Sequence, residues 1–369
     1  MGQASRAPAR TRRWFLASLP AACFAVDTGR GRLVPSAVTR YPDPTTEFPV
    51  YRLTDPAHTS HLPSFFARAI SRRSNSLVYA SDISGRFEAF RMDLKSGQSR
   101  QLTDASALDP FSLTLFSDDR GFCYLDGGRL VSASLSSLRP REIYRTPDEF
   151  EESHGLSVAE DGLFSALVER KGSHSRLQLV NMSAGTAVTL AECEEEIRDP
   201  IPRPRRASVL YRRGNAIWLA NYDAQQNYRL RLAEGGTGPA LWSPDGRSVL
   251  YLNYSDDPHK LHNLREFTPD TNEDKAIANT TQFVHFGRNA DASVFVGASG
   301  SKASPHVLLL VRVVRRELTL AEHHASDPHM VAPIFSPNSQ HVFFASDQHG
   351  KPAIYSVTVD RLVSETEAY

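Results

Sequence analysis

Short apolar runs separated by tight polar turns recur along most of the chain, and the longest clear example lies at residues 242–251. There the sequence reads Trp242-Ser-Pro-Asp-Gly-Arg-Ser-Val-Leu-Tyr251, an apolar strand end, a turn, and a β-branched and aromatic strand. A second copy begins at Phe335 with Ser-Pro-Asn-Ser-Gln-His-Val-Phe-Phe. Weaker copies begin at Ile70, Phe116, Val158, Pro202 and Phe286. Pro, Asp, Gly and Asn between apolar runs are hairpin chemistry, because they supply the φ angles and side-chain hydrogen bonds that tight turns need. Each copy continues into an alternating third strand, as in Phe87–Leu94, a polar turn, Lys95–Gln98, and a fourth strand, Ser99–Asp104. A repeat of about 40–50 residues holding four strands is the length of one propeller blade. No convincing amphipathic helix interrupts the pattern.

Seven copies predict an all-β, seven-bladed β-propeller; the weak copies at Val158 and Pro202 leave six or eight open. The last copy supplies Val342–Ser346 and Ala353–Val359 but then runs out of chain for its outer strand. Tyr51-Arg52-Leu53-Thr54-Asp55 echoes the fourth strand at Arg100–Asp104. An N-terminal strand pairing into the final blade would close the ring and remove an open edge. The expected organisation is an export signal at 1–25, a linker or arm at 26–48, the propeller at 49–362 and a tail at 363–369.

Composition narrows the function classes. Acidic and basic side chains balance at 42 each, which gives no general attraction to nucleic acid or to an anionic membrane surface. No apolar run in the body is long enough for a membrane span. The first 13 residues are basic and end in Thr11-Arg12-Arg13, and an apolar stretch from Trp14 to Ala25 follows. That order is an export signal of the twin-arginine kind, and predicts a periplasmic or secreted protein. A Gly-x-Ser-x-Gly elbow, a phosphate-binding loop and a Cys-x-x-Cys pair are missing from the sequence.

Two stretches go beyond a generic TolB-like propeller. Tyr51–Pro56 through His61 to Gln101–Asp104 resembles the opening of the oligogalacturonate lyases. The closing run Ser346-Asp-Gln-His-Gly-Lys-Pro-Ala-Ile-Tyr355 resembles their end. Pro200–Pro204 and the Trp242 repeat fall between them in family order. The resemblance implies a propeller that splits pectin-derived uronate oligosaccharides by β-elimination. It also implies a divalent, manganese-like metal on the axis and a His that removes the C5 proton. The chemistry is coherent, since a metal on the carboxylate stabilises the charge that develops when the neighbouring proton leaves.

This chain departs from the family at the site. The family's Gln and two His before the last blade fall on Asp327, Met330 and Ala332, and its base His falls on Pro239. Ala216 stands where the family carries a basic residue. His285 matches the remaining metal ligand, and His329 lies one residue out of register, so the metal candidates are His285, Asp327 and His329. His61 and Arg203 match family positions and are the candidates for substrate binding. Arg203 with Arg205 and Arg206 would suit a forked pair with a uronate carboxylate, or would be an exposed loop. His323-His324 reads as surface. Two functions stand side by side: a metal-assisted lyase with a remodelled site, and a non-catalytic propeller that binds an oligosaccharide or a protein partner.

Overall fold

The turns that punctuate the sequence are closed by backbone hydrogen bonds of one kind. The first turn residue donates its N–H to the carbonyl five residues on, from Ser71, Phe116, Ala159, Arg203, Ser243, Asn289 and Ser336, at 2.7–3.0 Å. A computed structural model of the chain describes Gly2, residues 29–257 and 259–360, and Leu362. The export signal expected at 1–25 lies, but for Gly2, outside the described residues, as does the tail at 363–369. Each turn joins the inner strand of a sheet to the next strand outward, and seven antiparallel sheets result. The sheets are numbered here as blades 1 to 7 in the order of those turns. The count expected from the sequence holds, including the two weak copies, which became the blades with inner strands Glu151–Val158 and Ile197–Pro202.

Neighbouring blades meet in seven separate apolar clusters, one at each seam. Phe122 and Tyr124 of blade 2 pack on Val78 and Ala80 of blade 1, and Phe283, Phe286 and Phe295 of blade 6 pack on Leu250 and Leu252 of blade 5. Alternating side chains on each strand therefore serve two seams, which is why both faces of the inner strands are buried. His323 belongs to this interior. Its side chain is fully buried with Nε2 3.0 Å from the Ser299 carbonyl, so the surface reading holds only for His324, which is exposed against Glu322.

The ring closes as the sequence predicts. Pro49–Arg52 pairs with the last strand, Val50 opposite Val357 and Arg52 opposite Tyr355. The segment before it, read as a linker, also contributes strands. Leu33–Val34 pairs with the outer strand of blade 1, and Thr39–Pro42 adds a fifth strand to blade 7. The intervening residues thus strap the closing seam from outside. Gly97 accommodates the strap: a Cβ there would stand 2.2 Å from Ser36 Oγ, and its φ is +72°. The turn after Pro42 reaches across to blade 6, where Asp43 accepts the Glu322 N–H at 2.8 Å and Thr46 Oγ1 donates to the Leu320 carbonyl at 2.9 Å.

Candidate functional site at the axial mouth

The common turn gives every blade a shared reference point. Four residues before each turn donor the chain places Ala67, Ser112, Gly155, Asp199, Pro239, His285 and Ala332. In blades 3 to 6 the inner strand slips register at or beside this position. Gly155, Asp199 and Ala332 there have positive φ values of 124°, 51° and 38°. A bulge re-aims a side chain, and bulges are common next to functional sites. The result is one register column around the mouth of the ring, and only Asp199 and His285 in it are ionisable.

His285 is buried, with Phe65 edge-on to its ring at 4.4 Å. Phe65 and its neighbour Phe66 belong to the segment leading into blade 1, yet Phe66 packs on the cluster between blades 4 and 5. The segment therefore crosses the axis and forms a floor under the mouth. Burial, and then the nearby His329, hold the His285 imidazole down to about 3, so it is neutral at any working pH. Its Nδ1 has no hydrogen-bond partner among the described residues.

The other metal candidates serve the backbone around a short 3-10 helix. Asp327 caps Pro328–Met330, and its Oδ1 accepts the His329 N–H at 3.0 Å. The Asp327 and His329 side chains are exposed. Met330 is exposed and shares a cleft of about 70 Å³ with His61, Asp327 and Asp347. Among the described residues no three His, Cys, Asp or Glu side chains gather as a set able to hold a metal ion. The expected trio is thus corrected: His285 keeps a ring nitrogen without a partner among the described residues, but it does not form a metal-holding set with Asp327 and His329. The residues present do not fit a divalent centre, which needs several donors at short range.

His61 stands at the same mouth, between Phe111 at 4.9 Å and Phe87 at 5.6 Å, and burial lowers its pKa. Arg203 does not join it. Arg203 is itself a turn residue, at the opposite end of the inner strand, and it is buried. Its Nε donates to the Gly246 carbonyl at 2.6 Å, its plane lies over Trp242 at 4.8 Å, and it pairs with Asp270 at 3.4 Å. Its donors are used to join blades 4 and 5, which removes it from the mouth as a substrate contact. Arg203→Ala should lower stability by about 2–3 kcal/mol in urea unfolding, since it strands buried carbonyls and a stacked ring. Ligand binding at the mouth should be unchanged.

Sequence reasoning missed the polar group between blades 4 and 5. Arg212 lies 3.5 Å from Asp199, donates to the Thr237 carbonyl at 2.9 Å, and has a buried Nε without a partner among the described residues. Burial raises the Asp199 pKa against the pull of Arg212, and burial likewise lowers that of Arg212. Beside them, Tyr254 donates to the Val284 carbonyl at 3.2 Å, and burial pushes its hydroxyl up to about 12. Tyr254 stands against Gly238, where a Cβ would lie 2.5 Å from the hydroxyl. Aligning the seven repeats on their turns is the signal that would have brought out Asp199.

Comparison with known proteins places this geometry. A family profile described as oligogalacturonate lyase matches residues 28–168. An oligogalacturonide lyase of Pectobacterium atrosepticum is 24% identical over 386 residues, covering 89% of this chain and 98% of the relative. The oligogalacturonate lyase of Dickeya dadantii is 23% identical with the same coverage. An oligogalacturonate lyase solved in complex with manganese superposes with a TM-score of 0.84 at 23% identity, over 89% of this chain and 98% of that one. The lyase of Vibrio parahaemolyticus gives 0.82 at the same identity and coverage.

Proposed function

We propose that this chain, an oligogalacturonate-lyase-like propeller, recognises uronate oligosaccharides at the mouth around His285, with the family's metal-assisted elimination weak or lost. The family profile and the curated relatives support the substrate class. The observation that carries the reading is the register column, which holds His285, Pro239 and Ala332; the resemblance puts the family base at Pro239 and a family metal His at Ala332. A base must lie within hydrogen-bonding reach of the proton it takes, and a proline side chain accepts none. A hard cation gains little from Met330 or Ala332, because neither side chain offers a nitrogen or oxygen donor.

Recognition needs less than catalysis does. His61 sits between two aromatic rings at the mouth, and Arg212 brings a largely buried cation beside Asp199. Arginine matches a carboxylate with paired N–H donors, and aromatic side chains offer flat apolar faces to a sugar ring. The leader at 1–25 supports export to the periplasm, where short pectin fragments would be met. Calorimetric titration with digalacturonate tests the reading. Saturable binding, weakened about tenfold or more by His61→Ala, is the expected result. Absence of binding by any uronate oligosaccharide would overturn it.

A further inference from the structure

The column of seven has one ionisable member that the family assignment does not touch. Asp199 stands four residues before its turn in blade 4, as Pro239 does in blade 5, and each lies within an inner-strand bulge. It is held in the left-handed region at φ +51°, a backbone conformation that marks functional sites when the surroundings impose it. Its carboxylate is only partly buried, and the nearest cation, Arg212, is at 3.5 Å, looser than a close ion pair. Arg212 donates to the Thr237 carbonyl, and its buried Nε has no partner among the described residues. It also lies within electrostatic reach of Tyr254 and His285, so it stands among the mouth residues of blades 4, 5 and 6.

We propose that Arg212 and Asp199 form a metal-independent centre, in which Arg212 takes the carboxylate of a bound uronate and Asp199 the proton of the adjacent carbon. The proposal rests on the uronate reading above. Its geometry follows from covalent connection, because C5 is bonded directly to the carboxylate carbon. A base paired with the same guanidinium that holds the carboxylate is therefore beside the acidic hydrogen. In the step, the C5 proton moves to an Asp199 carboxylate oxygen, and the C5–H electron pair becomes the C4–C5 double bond. The C4–O bond breaks, its electrons leave on the glycosidic oxygen, and that oxygen takes a proton from water. The hydroxide left behind is neutralised by the Asp199 proton, which restores the carboxylate. Arg212 supplies the positive charge that offsets the electron density gathering on the substrate carboxylate during proton loss.

The test uses the full-length protein stripped with a chelator, with formation of unsaturated product from digalacturonate followed by ultraviolet absorbance. The wild type should keep its activity after chelation. Asp199→Asn should lower kcat about a hundredfold or more while the Kd for digalacturonate stays within about twofold. Asparagine tolerates the left-handed backbone and should preserve the fold. Arg212→Lys should instead raise the Kd, because an ammonium cannot reproduce the fork. If Asp199→Asn melts early, Asp199→Glu keeps the charge, moves it by one methylene, and should lower kcat with KM held. Product formation that stops on chelation, or that Asp199→Asn and Asp199→Glu leave unchanged, overturns the proposal. Wild type that binds digalacturonate but releases no product overturns it as well and leaves the uronate reading standing. Wild type that binds no uronate takes down both.

Discussion

Deleting residues 48–56 should abolish the cooperative melting transition and convert a single species into aggregate. The deletion removes the strand that pairs with the last strand of blade 7, including the buried Val50 and Leu53. It also removes the Leu53 N–H that bonds the Ile354 carbonyl at 2.8 Å and the Thr54 hydroxyl that accepts the Ile354 N–H at 3.0 Å. Losing two buried apolar side chains costs about 4–6 kcal/mol. That is a large part of the 5–15 kcal/mol typical of a folded domain. The exposed edge of the last strand would then offer unpaired N–H and carbonyl groups to a second molecule. The strap at Thr39–Pro42 cannot substitute, since among the described residues its strand partner is the deleted strand. Calorimetry and size-exclusion chromatography check this; an unchanged melting curve and elution profile would show that the ring does not depend on this closure.

The second large effect is a gain. Met330→His with Ala332→His and Pro239→His should raise manganese affinity from about millimolar to about micromolar, ~4 kcal/mol. Position 332 shares the register column with His285 one blade away. The inner strands of blades 6 and 7 approach so closely at Gly287 that a Cβ there would lie 2.4 Å from the Pro333 carbonyl oxygen. An imidazole introduced at 332 therefore joins the free Nδ1 of His285 rather than standing apart. The left-handed φ of +38° at 332 suits histidine better than most residues, so the substitution adds little strain. Isothermal titration with manganese chloride reads the affinity. A triple variant no tighter than wild type would mean that the column is misassigned.

The fold was legible because its signals are local. Seven turns of one kind, each between apolar runs, set the blade number, and the echo between Tyr51–Asp55 and Arg100–Asp104 located the closing strand. The strap was not legible, since strands of two and four residues carry too little alternation to stand out. The site was only partly legible. His61 and His285 do stand at one mouth, and the resemblance pointed to departures at Pro239, Met330 and Ala332. Arg203 misled because a family position says nothing of which end of a strand it occupies; its guanidinium is bonded into the seam between blades 4 and 5. Asp327 and His329 were candidates because they fall at or one residue beside family ligand positions, but Asp327 caps the short helix that contains His329. Arg212 and Asp199 carry no motif, and they come together only when an inner strand bulges beside the end of its neighbour.

The most direct measurement is digalacturonate binding by calorimetry on protein stripped of metal, repeated with saturating manganese. The account predicts the same affinity in both, with no stoichiometric manganese uptake by the wild type and a loss of affinity in His61→Ala. Binding that appears only with manganese, together with one tightly held ion per chain that His285→Ala releases, would contradict it.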